Sequence, residues 1–384
     1  MIKSRRDFLR SLSIGAAATG AALRLPLGKV SAAYTAEPVR KRQSDGLMRL
    51  DSNENVYGPS AIVAKAITAA TGKANRYPFR QYDDVAGRIA NFHHVRPEQV
   101  LMGCGSTEIL RVAAWAFLGN GRQMIQALPT FEALEEYAKS VDSEVVSVHL
   151  TSKFAHDLDG MLARVGPSTG LIYICNPNNP TASLTPRGDL ETFIGKLPAT
   201  VRVVIDEAYH QYALPSAMYS SFVDHPIADD RVIVTRTFSK VFGLAGLRLG
   251  YAVAHPAVIE KMRPFITQDG LNAIMAEVAG VALDDTAGVR EFVARNRNDR
   301  QEFFNDANGR MLKPIDSQAN FVMMNVEHPA TEVIEHFRKH NILIGRHFPP
   351  LDTYIRVSLG SPEEMRVFWK TWDLLPWAKM FMHH

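Results

Sequence analysis

The stretch TFSKVFGLAGLRLGY, residues 237–251, sets a lysine among apolar neighbours and follows it with a glycine-rich loop. Lys240 is flanked by Phe238, Val241, Phe242 and Leu244, with Ser239 beside it and Arg248 eight residues further on. A partly desolvated lysine has a lowered pKa, so its neutral amine can form an imine with a carbonyl. Ser239 and Arg248 offer a hydroxyl and a guanidinium fork suited to a phosphate. Read in isolation, the same stretch also describes a surface lysine in a glycine-rich loop.

Three upstream segments carry related signals. In VVIDEAYH (203–210) an apolar run delivers Asp206 to the end of a strand, with Tyr209 three positions later. A carboxylate there can pair with a cationic ring nitrogen and keep it protonated, or serve as a helix N-cap. ICNPNNPTA (174–182) is a turn-rich segment after a buried strand. Its Asn179 either donates to a ring oxygen or belongs to a plain Asn-Pro turn. GCGSTEIL (103–110) places a glycine-rich turn before a helix starting near Ser106 or Thr107. Free N–H groups and the positive dipole end suit a phosphate there, while a turn capped by Ser106 fits equally. A dinucleotide fingerprint fails, because Glu108 stands at the third glycine position.

From Gln81 onward, short β-branched runs alternate with helical patterns. Strands are expected at 124–128, 144–149, 171–175, 201–205, 231–235 and 249–254, and helices at 107–117, 131–140, 186–194 and 209–218. This alternation predicts an α/β fold: a mostly parallel sheet between helices, with ligands at the carboxyl ends of its strands. Beyond about residue 285 the pattern changes to a long helix (289–305), strands at 320–326, 342–344 and 355–359, and helices at 332–339 and from 362. The expected organisation is a leader (1–32), a segment (33–74) packing with a small domain, a large domain (75–285) and that smaller α/β domain (286–384).

The leader is an address. KSRRDFLRSLSIGAAATGAAL carries Arg5 and Arg6 ahead of an uncharged run too short to span a bilayer, where about 20 residues are needed. A basic region, a modest apolar region and an A-x-A-like end describe an export signal, and the paired arginines make it a twin-arginine signal. Residues 1–32 hold six basic side chains and one acidic one, so the remaining 37 basic and 39 acidic side chains leave a slightly acidic body. That balance excludes nucleic acid as the main partner. With 46% hydrophobic and 22% charged residues, the chain is neither disordered nor membrane-like. Cys104 and Cys175 are the only cysteines, which rules out a disulfide framework and a cysteine-rich metal site. His93 and His94 lack carboxylates at ligand spacing, so no metal is expected.

The order NNPT, DEAY, SKxxGLAGLRLG resembles the fold-type I pyridoxal-phosphate aminotransferases, more narrowly their histidinol-phosphate aminotransferase branch. LDSNENVYGP (50–59), NRYPFRQY (75–82), GCGSTEIL, ANFVMMN (319–325) and YIRVSLG (354–360) add to the likeness, which spans about residues 48 to 375. The resemblance implies a seven-stranded sheet in the large domain and pyridoxal 5'-phosphate as cofactor. It implies Lys240 as the Schiff-base lysine and proton shuttle, Asp206 as the partner of the ring nitrogen, and Asn179 and Tyr209 at the ring hydroxyl. It assigns the phosphate to Ser106, Thr107, Ser239 and Arg248, and a stacking place to Phe131. It also implies a homodimer in which Tyr77 reaches the neighbour's cofactor phosphate. Arg356 and Asn320 fall at positions for substrate, Arg356 as the clamp on its carboxylate; Arg346 lies near where the branch uses an arginine for substrate phosphate, and reads equally as a surface or carboxylate-pairing arginine.

Two departures stand out: Ala182 replaces a turn glycine, and Phe131 lacks a tyrosine hydroxyl. The implied reaction moves an amino group between an L-amino acid and a 2-oxo acid. Decarboxylation, racemisation or elimination on the same fold, and a non-catalytic ligand-binding protein, are the rivals. Histidine biosynthesis is cytoplasmic, so an exported enzyme is expected to take a non-phosphorylated donor, aromatic or otherwise bulky, in the periplasm or beyond.

Overall fold

A computed structural model describes residues 46–119, 121–223 and 229–378, so the leader and the terminal His383-His384 lie outside it. In chain order the strands are β1 (Met48–Leu50), β2 (Val100–Gly103), β3 (Gln123–Leu128), β4 (Glu144–His149), β5 (Thr169–Cys175) and β6 (Arg202–Asp206). They continue with β7 (Val232–Thr237), β8 (Gly250–Ala254), β9 (Lys313–Pro314), β10 (Phe321–Asn325), β11 (Ile342–Ile344) and β12 (Tyr354–Ser358). Seven of them form a mixed sheet in the order β2-β8-β7-β6-β5-β3-β4. Only β8 runs against the rest, antiparallel to both β7 and β2. The reason lies in the connection. Residues 238–249 carry no crossover helix, so the chain turns straight back beside β7, whereas parallel neighbours need a crossover.

Side-chain alternation splits the sheet's core between its faces. Ile172, Ile174, Val203 and Ile205 pack on one face beneath the helices Ala61–Ala70, Gln81–His93 and Ala273–Asp284. Leu171, Tyr173 and Val204 pack on the other beneath Ser106–Phe117, Ala133–Ser140 and Pro256–Met262. β5 and β6, inside the sheet, are apolar on both faces, as sheets covered on both sides require.

A third core joins β1, β10, β11 and β12 to the helices Thr286–Gly309, Ala330–Lys339 and Pro362–Trp372. β1 pairs in parallel with β11, which carries the segment after it across the main sheet's cavity. Trp369 and Trp372 are buried in this core. No described helix is long and apolar enough to cross a membrane, and no described cluster of His, Cys, Asp or Glu could hold a metal ion.

Two expectations need correction. The helix expected over 209–218 is a single turn, His210–Tyr212, followed by irregular chain. Pro215 cannot donate a helical hydrogen bond, and Ser216 and Tyr219 close a turn on each other instead. The helix expected from 131 starts at Ala133 with Glu132 as its N-cap residue, leaving Phe131 free to face the cavity.

Candidate active site

The carboxyl ends of β5, β6 and β7 and the start of the antiparallel β8 meet at one edge of the sheet. A cavity of about 410 Å³ opens there. Ser106, Thr107, Phe131, Asn179, Asp206, Tyr209, Ser239, Lys240, Arg248 and Arg356 all line it. Three of the expected residues do not. Tyr77 lies at the surface, 73% exposed and stacked on Phe79. Arg346 sits outside the lining in an ion pair with Glu132. Asn320 is buried and donates to the carbonyls of Asn53 and Glu54, at 3.0 and 3.1 Å.

One end of the cavity is built for an anion. Gly105, at φ +80°, is the N-cap of the helix that begins with Ser106 and Thr107, whose N–H groups precede any acceptor within the helix. A Cβ on Gly105 would stand 2.1 Å from the Arg248 guanidinium, and one on Gly250 would stand 2.0 Å from the Ser106 nitrogen. Both positions therefore exclude a side chain, and the backbone closes around the Arg248 fork. Arg248 itself adopts a left-handed backbone, φ 53°, and donates to the Ser239 hydroxyl (3.3 Å) and the Ala245 carbonyl (2.9 Å). Thr237 holds Ser239 through its own hydroxyl at 3.0 Å.

At the floor lies Asp206, 2% exposed. Its carboxylate accepts the Tyr173 hydroxyl (3.0 Å) and the Ala208 amide (3.1 Å), with no basic side chain paired to it among the described residues. Burial pushes its pKa up, while those hydrogen bonds oppose the shift. A buried carboxylate without a counter-charge fits a cationic ring nitrogen. Asp206 caps no helix.

Lys240 reaches across the cavity. Its Nζ donates to the carbonyls of Ser52 (3.2 Å) and Asn53 (3.1 Å) and stands 5.4 Å from the centre of the Tyr209 ring. Burial, with the positive charge of Arg356, lowers its pKa to about 8. The amine is therefore far easier to deprotonate than an ordinary lysine. Capture of a carbonyl cofactor by the emptied protein is expected to accelerate as pH rises and to level off above about 8. A stopped-flow pH profile checks this, and a rate still climbing toward pH 10.5, the unshifted value, would contradict it.

Arg356 projects from β12 with its fork toward the same space. It donates to Asn179 Oδ1 (2.6 Å) and to the Asp51 carbonyl, while its buried Nε has no partner. A guanidinium fork that exchanges those two contacts for a ligand suits a carboxylate bound through two parallel hydrogen bonds.

The segment Asp51–Glu54 closes the cavity and escaped the reading of the residues. Asn53, at φ 54°, donates from its backbone to the Ser358 hydroxyl (2.8 Å) and from its side chain to the Tyr209 hydroxyl (3.0 Å). LDSNENVYGP stood out as a motif, but no spacing rule indicates that its carbonyls would receive Lys240. Tyr173 was also missed, since within an apolar strand it reads as core. The two cysteines are free; Cys175 is buried at the cavity edge, and burial raises its pKa. His93 is likewise buried, its Nε2 2.7 Å from the Tyr251 hydroxyl.

Comparison with known proteins assigns this geometry. The sequence pattern of aminotransferase class I and II matches residues 45–371, which includes every residue lining the cavity. The chain belongs to that family. The histidinol-phosphate aminotransferase of Geobacillus thermodenitrificans is 33% identical over 325 residues, covering 84% of this chain and 88% of that protein. The Halalkalibacterium halodurans protein of the same name is 34% identical, over 83% and 86% of the two chains. A crystal structure of histidinol-phosphate aminotransferase from Sinorhizobium meliloti in complex with pyridoxal-5'-phosphate superposes with a TM-score of 0.80. It is 27% identical to this chain, covering 86% of it and 90% of the solved chain. This class I and II aminotransferase is a pyridoxal-phosphate-dependent enzyme, and the anion cup, the uncompensated Asp206 and the low-pKa Lys240 fit that cofactor.

Proposed function

We propose that the enzyme transaminates an L-amino acid donor with a 2-oxo acid, with Lys240, Asp206 and Arg356 as its working residues. One observation carries the reading: a lysine amine of lowered pKa and an arginine side chain line the same cavity over a buried carboxylate. When bound, pyridoxal phosphate supplies a conjugated ring that draws electron density from the donor Cα. Ser106, Thr107, Ser239 and Arg248 hold its phosphate. Asp206 holds a proton on the ring nitrogen, Asn179 and Tyr209 meet the ring hydroxyl, and Phe131 covers a ring face. Arg356 grips the donor carboxylate and so aims Cα toward Lys240, whose Nζ moves the Cα proton. Decarboxylation needs the carboxylate bond set perpendicular to the ring, and a clamp on that carboxylate opposes this. Incubation with a donor and a 2-oxo acid tests the reading. Formation of a new amino acid supports it, whereas carbon dioxide or racemised donor without oxo-acid consumption would replace it.

The names of the relatives favour a second reading, histidinol phosphate as donor. The leader, with its paired Arg5 and Arg6, supports twin-arginine export to the periplasm or beyond, away from histidine biosynthesis. Arg5→Lys with Arg6→Lys is expected to abolish export; mature protein still reaching the periplasm in cell fractions would sink the assignment. The exposed Tyr77 and Phe79 rings, 5.2 Å apart, support a homodimer in which Tyr77 serves the neighbouring site. Sedimentation equilibrium is expected to return the mass of two chains, and a single-chain mass would rule the shared site out.

A further inference from the structure

Glu108 breaks the dinucleotide fingerprint, and the structure gives it another task. It is the third residue of the helix Ser106–Phe117 and is 7% exposed. A glutamate in that place commonly turns back to accept the N-cap amide. Here the Gly105 amide bonds the Gly103 carbonyl at 2.8 Å, and Glu108 Oε2 reaches one residue further, to the Cys104 amide at 2.7 Å. The next two amides belong to Ser106 and Thr107, which line the cavity. The other oxygen, Oε1, accepts from Arg111 Nη2 (2.6 Å), from the Thr267 amide (3.1 Å) and from the Thr267 hydroxyl. Burial pushes the Glu108 pKa up, but the bonds from Thr267, Cys104 and Arg111 outweigh it and hold the carboxyl below its usual value. Thr267 extends the tie. It lies between the helices Pro256–Met262 and Ala273–Asp284, in a segment that ends at Asn272. The Asn272 side chain caps the second helix and donates to the Leu247 carbonyl at 2.6 Å, one residue before Arg248. The two halves of the anion cup are therefore joined twice. They meet directly where the Arg248 guanidinium lies against Gly105, and again behind the cup through Glu108, Thr267 and Asn272.

We propose that Glu108 is a positioning residue for the cofactor phosphate. By holding the Cys104 amide and Thr267 together, it fixes the turn that aims the Ser106 and Thr107 amides and keeps that turn in register with Arg248. Glu108 does not itself line the cavity, so it acts through the turn. Two other roles leave different signatures. An anion acting through space on a phosphate dianion would weaken its binding, and removing that charge would tighten it. A carboxylate that only supports packing would, when removed, loosen every ligand of the cavity alike. The inference rests on the placement of the cofactor phosphate at Ser106, Thr107, Ser239 and Arg248.

The test compares the affinity of the full chain, emptied of cofactor, for pyridoxal phosphate and for pyridoxal, which lacks the phosphate, by their visible absorbance. Wild type is expected to prefer pyridoxal phosphate by about a hundredfold or more, as several charge-assisted bonds to a phosphate require. Glu108→Gln keeps the size of the side chain and puts an NH2 where an oxygen accepted. It should lose about tenfold in affinity for pyridoxal phosphate, the order of one hydrogen bond to a charged group, with pyridoxal unchanged. Thr267→Val, at an exposed position, removes one donor without altering charge and should lose about threefold in the same selective way. Unchanged or tighter binding of pyridoxal phosphate by Glu108→Gln, or an equal loss for both ligands, would overturn the role. A wild type that binds the two ligands equally would remove the phosphate from this cup, and the role of Glu108 with it. Should Glu108→Gln fail to fold, Thr267→Val decides alone: a selective loss supports the positioning role, and its absence overturns it.

Discussion

Lys240→Ala is expected to reduce turnover by about 10⁴-fold or more, the scale seen when the central group of a catalytic unit is removed. Lys240 is the sole lysine lining the cavity, so no other described side chain there can replace its amine. Among the described residues its Nζ bonds the carbonyls of Ser52 and Asn53, both in the covering segment, so the core beneath should be undisturbed. The purified variant should keep its far-ultraviolet circular dichroism and lose the visible absorbance of covalently held cofactor. The anion cup of Gly105, Ser106 and Arg248 is untouched and should still retain cofactor without a bond to protein. Turnover above about one per cent of wild type would remove Lys240 from its assigned role.

Arg236→Ala is expected to have the largest effect on stability. Arg236 on β7 and Glu207 just past β6 are 2% and 1% exposed, with Nε and Oε2 2.8 Å apart. The same carboxylate accepts the Ser221 hydroxyl at 2.8 Å and the Phe222 amide at 2.9 Å. Removing the arginine strands a buried anion beside Asp206, which costs about 3–5 kcal/mol. For a chain of this size that lowers Tm on the order of 10 °C. Replacing both partners, Arg236→Met with Glu207→Leu, should recover part of the loss, because no orphaned charge remains. Differential scanning calorimetry reads both. A single variant melting within 2 °C or so of wild type would show that the pair contributes little.

The legible part of the molecule was the part written locally. β3 to β8 announce themselves as β-branched runs, and Asp206, Lys240 and Arg248 lie in motifs whose local chemistry already points to a ring nitrogen, a carbonyl and a phosphate. β2 was not legible: four residues after a proline-bearing turn give no period, and its identity as a strand depends on pairing with β8, 150 residues away in register (Val100 with Val253 to Gly103 with Gly250). The helices Ala61–Ala70 and Ala273–Asp284 pack together across more than 200 positions, and their small, apolar composition gives weak amphipathic signals. The cavity's cover was hidden for a related reason. Ser52 and Asn53 act through main-chain carbonyls, and the left-handed Asn53 is placed by Ser358 and Asn320 from the far end of the chain. Arg346 was visible as a lone arginine before a loop, but its ion-pair partner Glu132 lies far away in sequence, and no local pattern connects the two.

The central claim is that Lys240 and Arg356 serve a reversible exchange of an amino group over one cofactor. The most direct measurement mixes cofactor-loaded protein with a single amino acid donor and no acceptor, and follows the visible band together with released oxo acid. Loss of the band with one oxo acid released per active site is expected, followed by full return of the band when a 2-oxo acid is added. Repeated release without an acceptor, or a band that does not return, would contradict it.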